Sequence, residues 1–130
     1  MELGGLQVGM RGSARAVVDE ARTAVALGSG SVPVFGTPAM IALMEHAAAQ
    51  CVDARLQAGQ ITLGTSISVE HVAATAVGAS VVASAELTGI DGRLLQFSIA
   101  AHEGEKLIGR GSHVRAVVDR DRFMAKVAGQ

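Results

Sequence analysis

Three side chains in this chain have the types and placement for proton transfer and attack at an electrophilic carbon: Thr37, Glu45 and His71. Glu45 lies in the run from Val34 to His46, which reads as a helix apolar nearly all the way round. Its helical neighbours at spacings of three and four are Ile41, Ala42, Ala48 and Ala49, so no local salt bridge can form. A carboxylate enclosed there without a cation is expected to have a raised pKa, and such groups are either neutralised or used for chemistry. The competing reading is that Glu45 emerges at a subunit surface or pairs with a distant arginine. The pattern alone leaves both open.

His71 ends a period-two run in which Ile61, Leu63, Thr65, Ile67 and Val69 share its face, so it is expected to point toward the helix. A β-bulge would break that parity. Near neutral pH a histidine both accepts and donates protons, although a structural, hydrogen-bonded role is equally open. Thr37 precedes Pro38 and is expected to be the helix N-cap, which by itself explains the residue. A helix N-terminus also places partial positive charge where an oxyanion can develop. Gly64 marks either a bulge or a close approach of ligand to backbone. The histidines and the lone Cys51 show no metal-ligand spacing, and Cys51 on the apolar helix reads as core. No nucleophile elbow, dinucleotide fingerprint or P-loop is present.

These residues need a scaffold. The pattern predicts a first strand within Gln7–Asp19, a short helix over Glu20–Leu27 and an irregular Gly/Ser/Pro segment over Gly28–Gly36. A long helix is predicted from Thr37 to about Arg55, with Met40, Leu43, Met44, Ala47 and Cys51 in one stripe and Ile41, Ala48 and Val52 beside it. A helix this apolar should be enclosed. Four strands follow: Ile61–His71, Ala79–Leu87, Arg93–His102 and Lys106–Val118. Asp91-Gly92 and Glu103-Gly104 mark the tight turns, and a short helix closes the chain. One helix wrapped by a curved antiparallel sheet of about five strands, an α+β hotdog fold, satisfies every apolar face. Hotdog domains pair edge to edge, which removes exposed strand edges.

Composition agrees with one domain over residues 1–130, 49% hydrophobic and 18% charged. Trp and Tyr are absent and Phe occurs only three times. So few large side chains suggest a core that continues across a subunit interface, hence a homodimer. The net charge of -1 and the shortage of aromatics argue against nucleic acid as a partner. The C-terminal stretch is more basic, with Lys106, Arg110, Arg115, Arg120, Arg122 and Lys126, and reads as a solvated surface or a phosphate site. A single cysteine excludes an intrachain disulfide and fits a reducing cytoplasm. The start of the chain lacks signal-peptide features, and the uncharged stretch Ala24–Met44 is too rich in Gly and Pro for a membrane span.

Five segments carry a family resemblance: Val34–Pro38, Leu43–Glu45, Leu63–Thr65, Glu70–Thr75 and Gly109–Val117. In this order they resemble the fluoroacetyl-CoA thioesterase-like branch of the hotdog superfamily. The resemblance implies acyl-CoA thioester hydrolysis with no cofactor or metal, a catalytic set of Thr37, Glu45 and His71, and acyl-CoA contacts from Gly64 and Arg115. One departure matters: no phenylalanine precedes Phe35, whereas that family carries phenylalanines in a lid ahead of its threonine. Fluoroacetyl specificity is therefore not expected to carry over. The rival readings are a non-catalytic acyl-CoA or acyl-carrier binding protein, an enoyl-CoA hydratase, whose Asp/His pair is not seen here, and a purely structural dimer.

Overall fold

The computed structural model describes residues 3–130. Strand β1 (Arg11–Val17) leads through a 3-10 turn (Glu20–Arg22) and a one-turn helix α1 (Ala24–Leu27) to the long helix α2 (Thr37–Asp53). Strands β2 (Gln60–His71), β3 (Ser80–Asp91), β4 (Leu94–Glu103) and β5 (Lys106–Asp119) follow, and helix α3 (Arg120–Ala128) ends the chain. The five strands form one antiparallel sheet in the order β1-β3-β4-β5-β2, curled around α2. The expected elements are all present. The Glu20–Leu27 helix resolves into a 3-10 turn and a single α-turn, ended by Gly28 in the left-handed conformation (φ 71°).

Alternation along β3 and β4 builds the core. Val81, Ala83, Ala85 and Leu87 from one strand, and Leu95, Phe97, Ile99 and Ala101 from the next, are buried against Met40, Met44, Ala47, Ala48 and Val52 of α2. Small residues let the layers approach closely. A Cβ on Gly12 in β1 would lie 2.5 Å from the Ala47 carbonyl oxygen and 2.6 Å from the Cys51 amide nitrogen, so only glycine admits this crossing of strand and helix. Cys51 is buried and its thiol pKa is raised by desolvation, as a core role requires.

The expectation that α2 is enclosed is not met within one chain. The sheet covers the side carrying Met40, Leu43, Met44, Ala47, Cys51 and Val52. On the other side Pro38, Ala42, His46 and Gln50 are exposed, and Ile41, Glu45 and Ala49 are half-buried. One sheet can wrap only about half of a helix's circumference, so an all-round apolar helix leaves an open apolar stripe. Among the described residues no helix is long and apolar enough to cross a membrane.

Candidate active site

Helix α2 begins one residue earlier than its capping chemistry suggests. Gly36 is the N-cap, with no side-chain cap bond, and Thr37 is already helical. This corrects the reading of Thr37 as N-cap, and its physical consequence is that the Thr37 hydroxyl is free of the helix backbone. It meets His71 instead, with Oγ1 2.7 Å from Nδ1. Phe35, buried beneath, packs edge-on against the His71 ring at 6.4 Å between centroids. The other ring nitrogen, Nε2, is buried without a hydrogen-bond partner. Burial lowers the His71 pKa, so the neutral ring is favoured. Thr37 and His71 line a cleft of about 330 Å³ with Ala24, Val34, Val72 and Ala73.

Strand parity places His71 as expected, but for only half of the strand. A bulge between Gly64 and Ser66 shifts the register of β2 on β5. Ile67, Val69 and His71 keep one face. Before the bulge it is Thr62 and Gly64, not Ile61, Leu63 and Thr65, that face inward: Thr62 is buried, and a Cβ on Gly64 would point at Glu45. The six-residue shared face expected from strict alternation is thus corrected to two sets of opposite parity. Gly64 stands at the bulge, and a Cβ there would meet the Glu45 carboxylate.

Glu45 is not an unpaired carboxylate in an apolar enclosure. Its side chain is 41% exposed in the single chain, and its Oε2 lies 3.6 Å from Nη1 of Arg115, whose own side chain is only 9% exposed. The premise that isolated Glu45 fails for a reason invisible in the local pattern: its cation is seventy residues away on β5. Arg115 does not reach outward. Its Nε donates to Thr62 Oγ1 at 2.8 Å and its Nη2 to the Thr62 carbonyl at 3.0 Å, which fixes the guanidinium against the Glu45–Gly64 cleft. Burial lowers the Arg115 pKa and the nearby Glu45 charge opposes that shift.

His113 belongs to the same cluster, although the sequence offered it only as one of several scattered histidines. It is buried, stacked at a tilt against Phe97, and its Nδ1 is 2.7 Å from the Ser66 carbonyl oxygen. A carbonyl can only accept, so Nδ1 carries the proton and Nε2 accepts from Arg115 Nη1 at 3.1 Å. The ring is held neutral, consistent with a pKa lowered first by burial. The one available signal was parity: His113 and Arg115 stand two apart on a strand and so share a face. Glu45, Gly64, Thr65, Ser66, Ile67 and His113 line a second cleft of about 270 Å³.

The structure thus gathers the expected residues into two groups, Thr37 with His71 and Glu45 with Gly64 and Arg115. Eight residues of helix separate Thr37 from Glu45, about 12 Å along α2.

A helix cupped by one curled antiparallel sheet, with a Thr–His pair at its start and a Glu–Arg pair midway, defines the chain as a hotdog-fold protein. A hot-dog-like protein from Thermanaerovibrio acidaminovorans superposes with a TM-score of 0.86 at 20% identity, over 96% of this chain and 93% of that one. The match to the family model described as fluoroacetyl-CoA-specific thioesterase (FlK) spans residues 18–121. The fluoroacetyl-CoA thioesterase of Streptantibioticus cattleyicolor is 44% identical over 94 residues, 72% of this chain and 68% of that protein. A solved structure of the fluoroacetyl-CoA thioesterase FlK superposes with a TM-score of 0.90 at 37% identity, covering 96% of this chain and 97% of the other. The chain belongs to the FlK thioesterase family and is a thioester hydrolase.

Proposed function

We propose that this protein hydrolyses acyl-CoA thioesters with Glu45, His71 and Thr37, in a site completed by a second copy of the chain. Glu45 acts on the acyl carbon, either by direct attack or through a water that it deprotonates. The C–S bond breaks and the sulfur leaves as a thiolate; the proton it takes up is the one released by the hydrolytic water, relayed through the neutral His71. Thr37 orients the imidazole through the 2.7 Å contact to Nδ1. Where Glu45 attacks directly, a water then splits the acyl–Glu45 anhydride, with His71 taking the water's proton. Gly64 gives the thioester room beside Glu45 and is the candidate backbone donor to the oxyanion. Arg115 holds the Glu45 carboxylate and presents positive charge at the thioester end of the substrate.

The observation that carries the composite site is the separation of about 12 Å along α2 between Thr37 and Glu45, far beyond contact with one thioester. The open apolar stripe on α2 and the unpaired edge of β2 both favour a two-fold dimer. Antiparallel pairing of β2 with its copy, centred on Ser68, sets His71 of one chain opposite Gly64 of the other, because the bulge skips Thr65. The bulge that flips parity between these residues puts both side-chain positions on the inner face. Glu45 of one protomer would then work with Thr37 and His71 of its partner.

Complementation tests this directly. Glu45→Gln and His71→Ala should each lose turnover on an acyl-CoA panel while staying folded. Mixed by unfolding and refolding, they should regain roughly a quarter of wild-type activity, since half the dimers carry one intact site. Folded single variants with wild-type turnover would refute the residue assignment. No recovery on mixing would refute the shared site alone, and tight acyl-CoA binding without turnover in the wild type would refute hydrolysis. Ser29 to Pro33, the segment ahead of Phe35, is exposed and contains no phenylalanine, so acetyl-CoA and fluoroacetyl-CoA should be accepted alike.

A further inference from the structure

His113 is buried and ionisable, and the chemistry proposed above gives it no task. An imidazole inside the inner face of a sheet is costly unless its ring nitrogens are hydrogen-bonded. Here both are. Nδ1 donates to the Ser66 carbonyl at 2.7 Å, and Nε2 accepts from Arg115 Nη1 at 3.1 Å. The two partners belong to different parts of the site. Ser66 is where β2 resumes its pairing with β5 after the bulge, and Arg115 is the cation that faces Glu45.

A guanidinium carries its N–H donors in one rigid plane. In Arg115 uncharged acceptors take Nε (Thr62 Oγ1), Nη2 (the Thr62 carbonyl) and one hydrogen of Nη1 (His113). Both Thr62 bonds lie along the Nε–Nη2 edge, so by themselves they let the plane tilt about that edge. His113 holds the opposite corner and stops the tilt. The second Nη1 hydrogen is left for Glu45 Oε2, 3.6 Å away. The same ring sits against Gly64, where an added Cβ would lie 3.2 Å from His113 Cε1. The charged groups facing the ring are Arg115 on β5 and Glu45 on α2, while β4 contributes the Phe97 ring. A protonated ring would offer Arg115 no acceptor and would set two cations 3.1 Å apart, so the contact belongs to the neutral ring alone.

We infer that His113 is a positioning residue of the thioesterase site, fixing the Arg115 guanidinium and through it the Glu45 carboxylate, an inference that rests on the acyl-CoA reading above. Its hold on Ser66 also pins the bulge beside Gly64, so one ring sets both the carboxylate and the backbone it works against. In this role His113 touches no reacting atom. Its contribution is to turnover, since a displaced Glu45 loses its aim at the acyl carbon while the substrate still binds.

The test compares two amide replacements. In His113→Gln the amide oxygen reaches the place of Nε2 and still accepts from Arg115. In His113→Asn the shorter amide reaches only the place of Nδ1, so the Ser66 bond is kept and the Arg115 bond is lost. On acetyl-CoA, His113→Asn should lose about tenfold or more in kcat with KM nearly unchanged, whereas His113→Gln should retain most activity. Equal losses in the two folded variants, or a loss confined to KM, would overturn the inference. Imidazole 15N NMR on the unmutated protein needs no variant to fold. Near neutral pH His113 should carry its proton on Nδ1 alone, and a proton on Nε2 would overturn the inference as well. The two readings fail separately. A wild-type protein that turns over no acyl-CoA sinks the thioesterase reading and this role with it, and turnover indifferent to His113→Asn sinks the role alone.

Discussion

Replacing Gly64 by alanine is a steric probe of where Glu45 must stand. Gly64 does not have positive φ, so alanine meets no backbone strain there. The added Cβ would lie 2.6 Å from Glu45 Oε2, 3.2 Å from His113 Cε1 and 3.5 Å from Arg115 Nη1. Histidine and arginine are fixed by their hydrogen bonds to Ser66 and Thr62, whereas the glutamate is the mobile end of a long, partly exposed side chain. Glu45 therefore yields, moving roughly 1 Å to regain ordinary contact near ~3.5 Å. Overpacking costs about 1–3 kcal/mol in a rigid core, and this site, with one compliant neighbour, should fall at the lower end. A 1 Å misplacement of a reacting group costs on the order of 10²-fold in rate. Gly64→Ala should thus melt within a few degrees of wild type yet lose about 10²-fold in kcat on acetyl-CoA. Steady-state kinetics beside a thermal melt decides it. A folded Gly64→Ala enzyme with wild-type kcat would show that the carboxylate position fixed by this cleft does not govern turnover.

The remaining expectations concern the two histidines. Thr37→Val keeps the side-chain shape but removes the 2.7 Å partner of His71, so kcat should fall about 10²-fold, while Thr37→Ser should retain most activity; equal losses in the two would assign Thr37 a packing role. Burial lowers the pKa of both His71 and His113 in the folded protein, so below the ordinary value of about 6.5 the unfolded chain binds more protons. Their contribution to stability is full above pH ~6.5 and is lost as pH falls through that value toward the folded pKa values. Urea midpoints should accordingly drop from pH 7.5 to 5.5, and drop less in His71→Gln; a midpoint that rises on acidification would reverse the sign of the argument.

Much of the scaffold was legible because its signals are local. Pro38 fixed the start of α2 to within a residue, Asp91-Gly92 and Glu103-Gly104 marked turns whose glycines adopt φ of 59° and 58°, and period-two alternation marked the strands. Thr37 and His71 line one cleft, Glu45 and Gly64 line the other and Arg115 stands beside it, so the residues singled out by type and motif lie at clefts. Periodicity reports a residue's face only relative to its own element, and it fails wherever pairing with another strand inserts a bulge. The parity of Ile61, Leu63 and Thr65 was lost for that reason, since the shift between Gly64 and Ser66 exists only in register with β5.

What the sequence by itself determined is the list of elements and the candidate residues they carry. Only the tertiary structure decided their partners. Thr37 found His71 rather than its own helix backbone, and Glu45 found Arg115, steadied by the neutral His113. These contacts join positions tens of residues apart, and such proximity is set by strand order and sheet curvature. The apolar circumference of α2 was plain in the sequence, but a single sheet covers only one side of a helix. Which side stays open, with Glu45 on it, follows from how β1 and β3 pack against the helix.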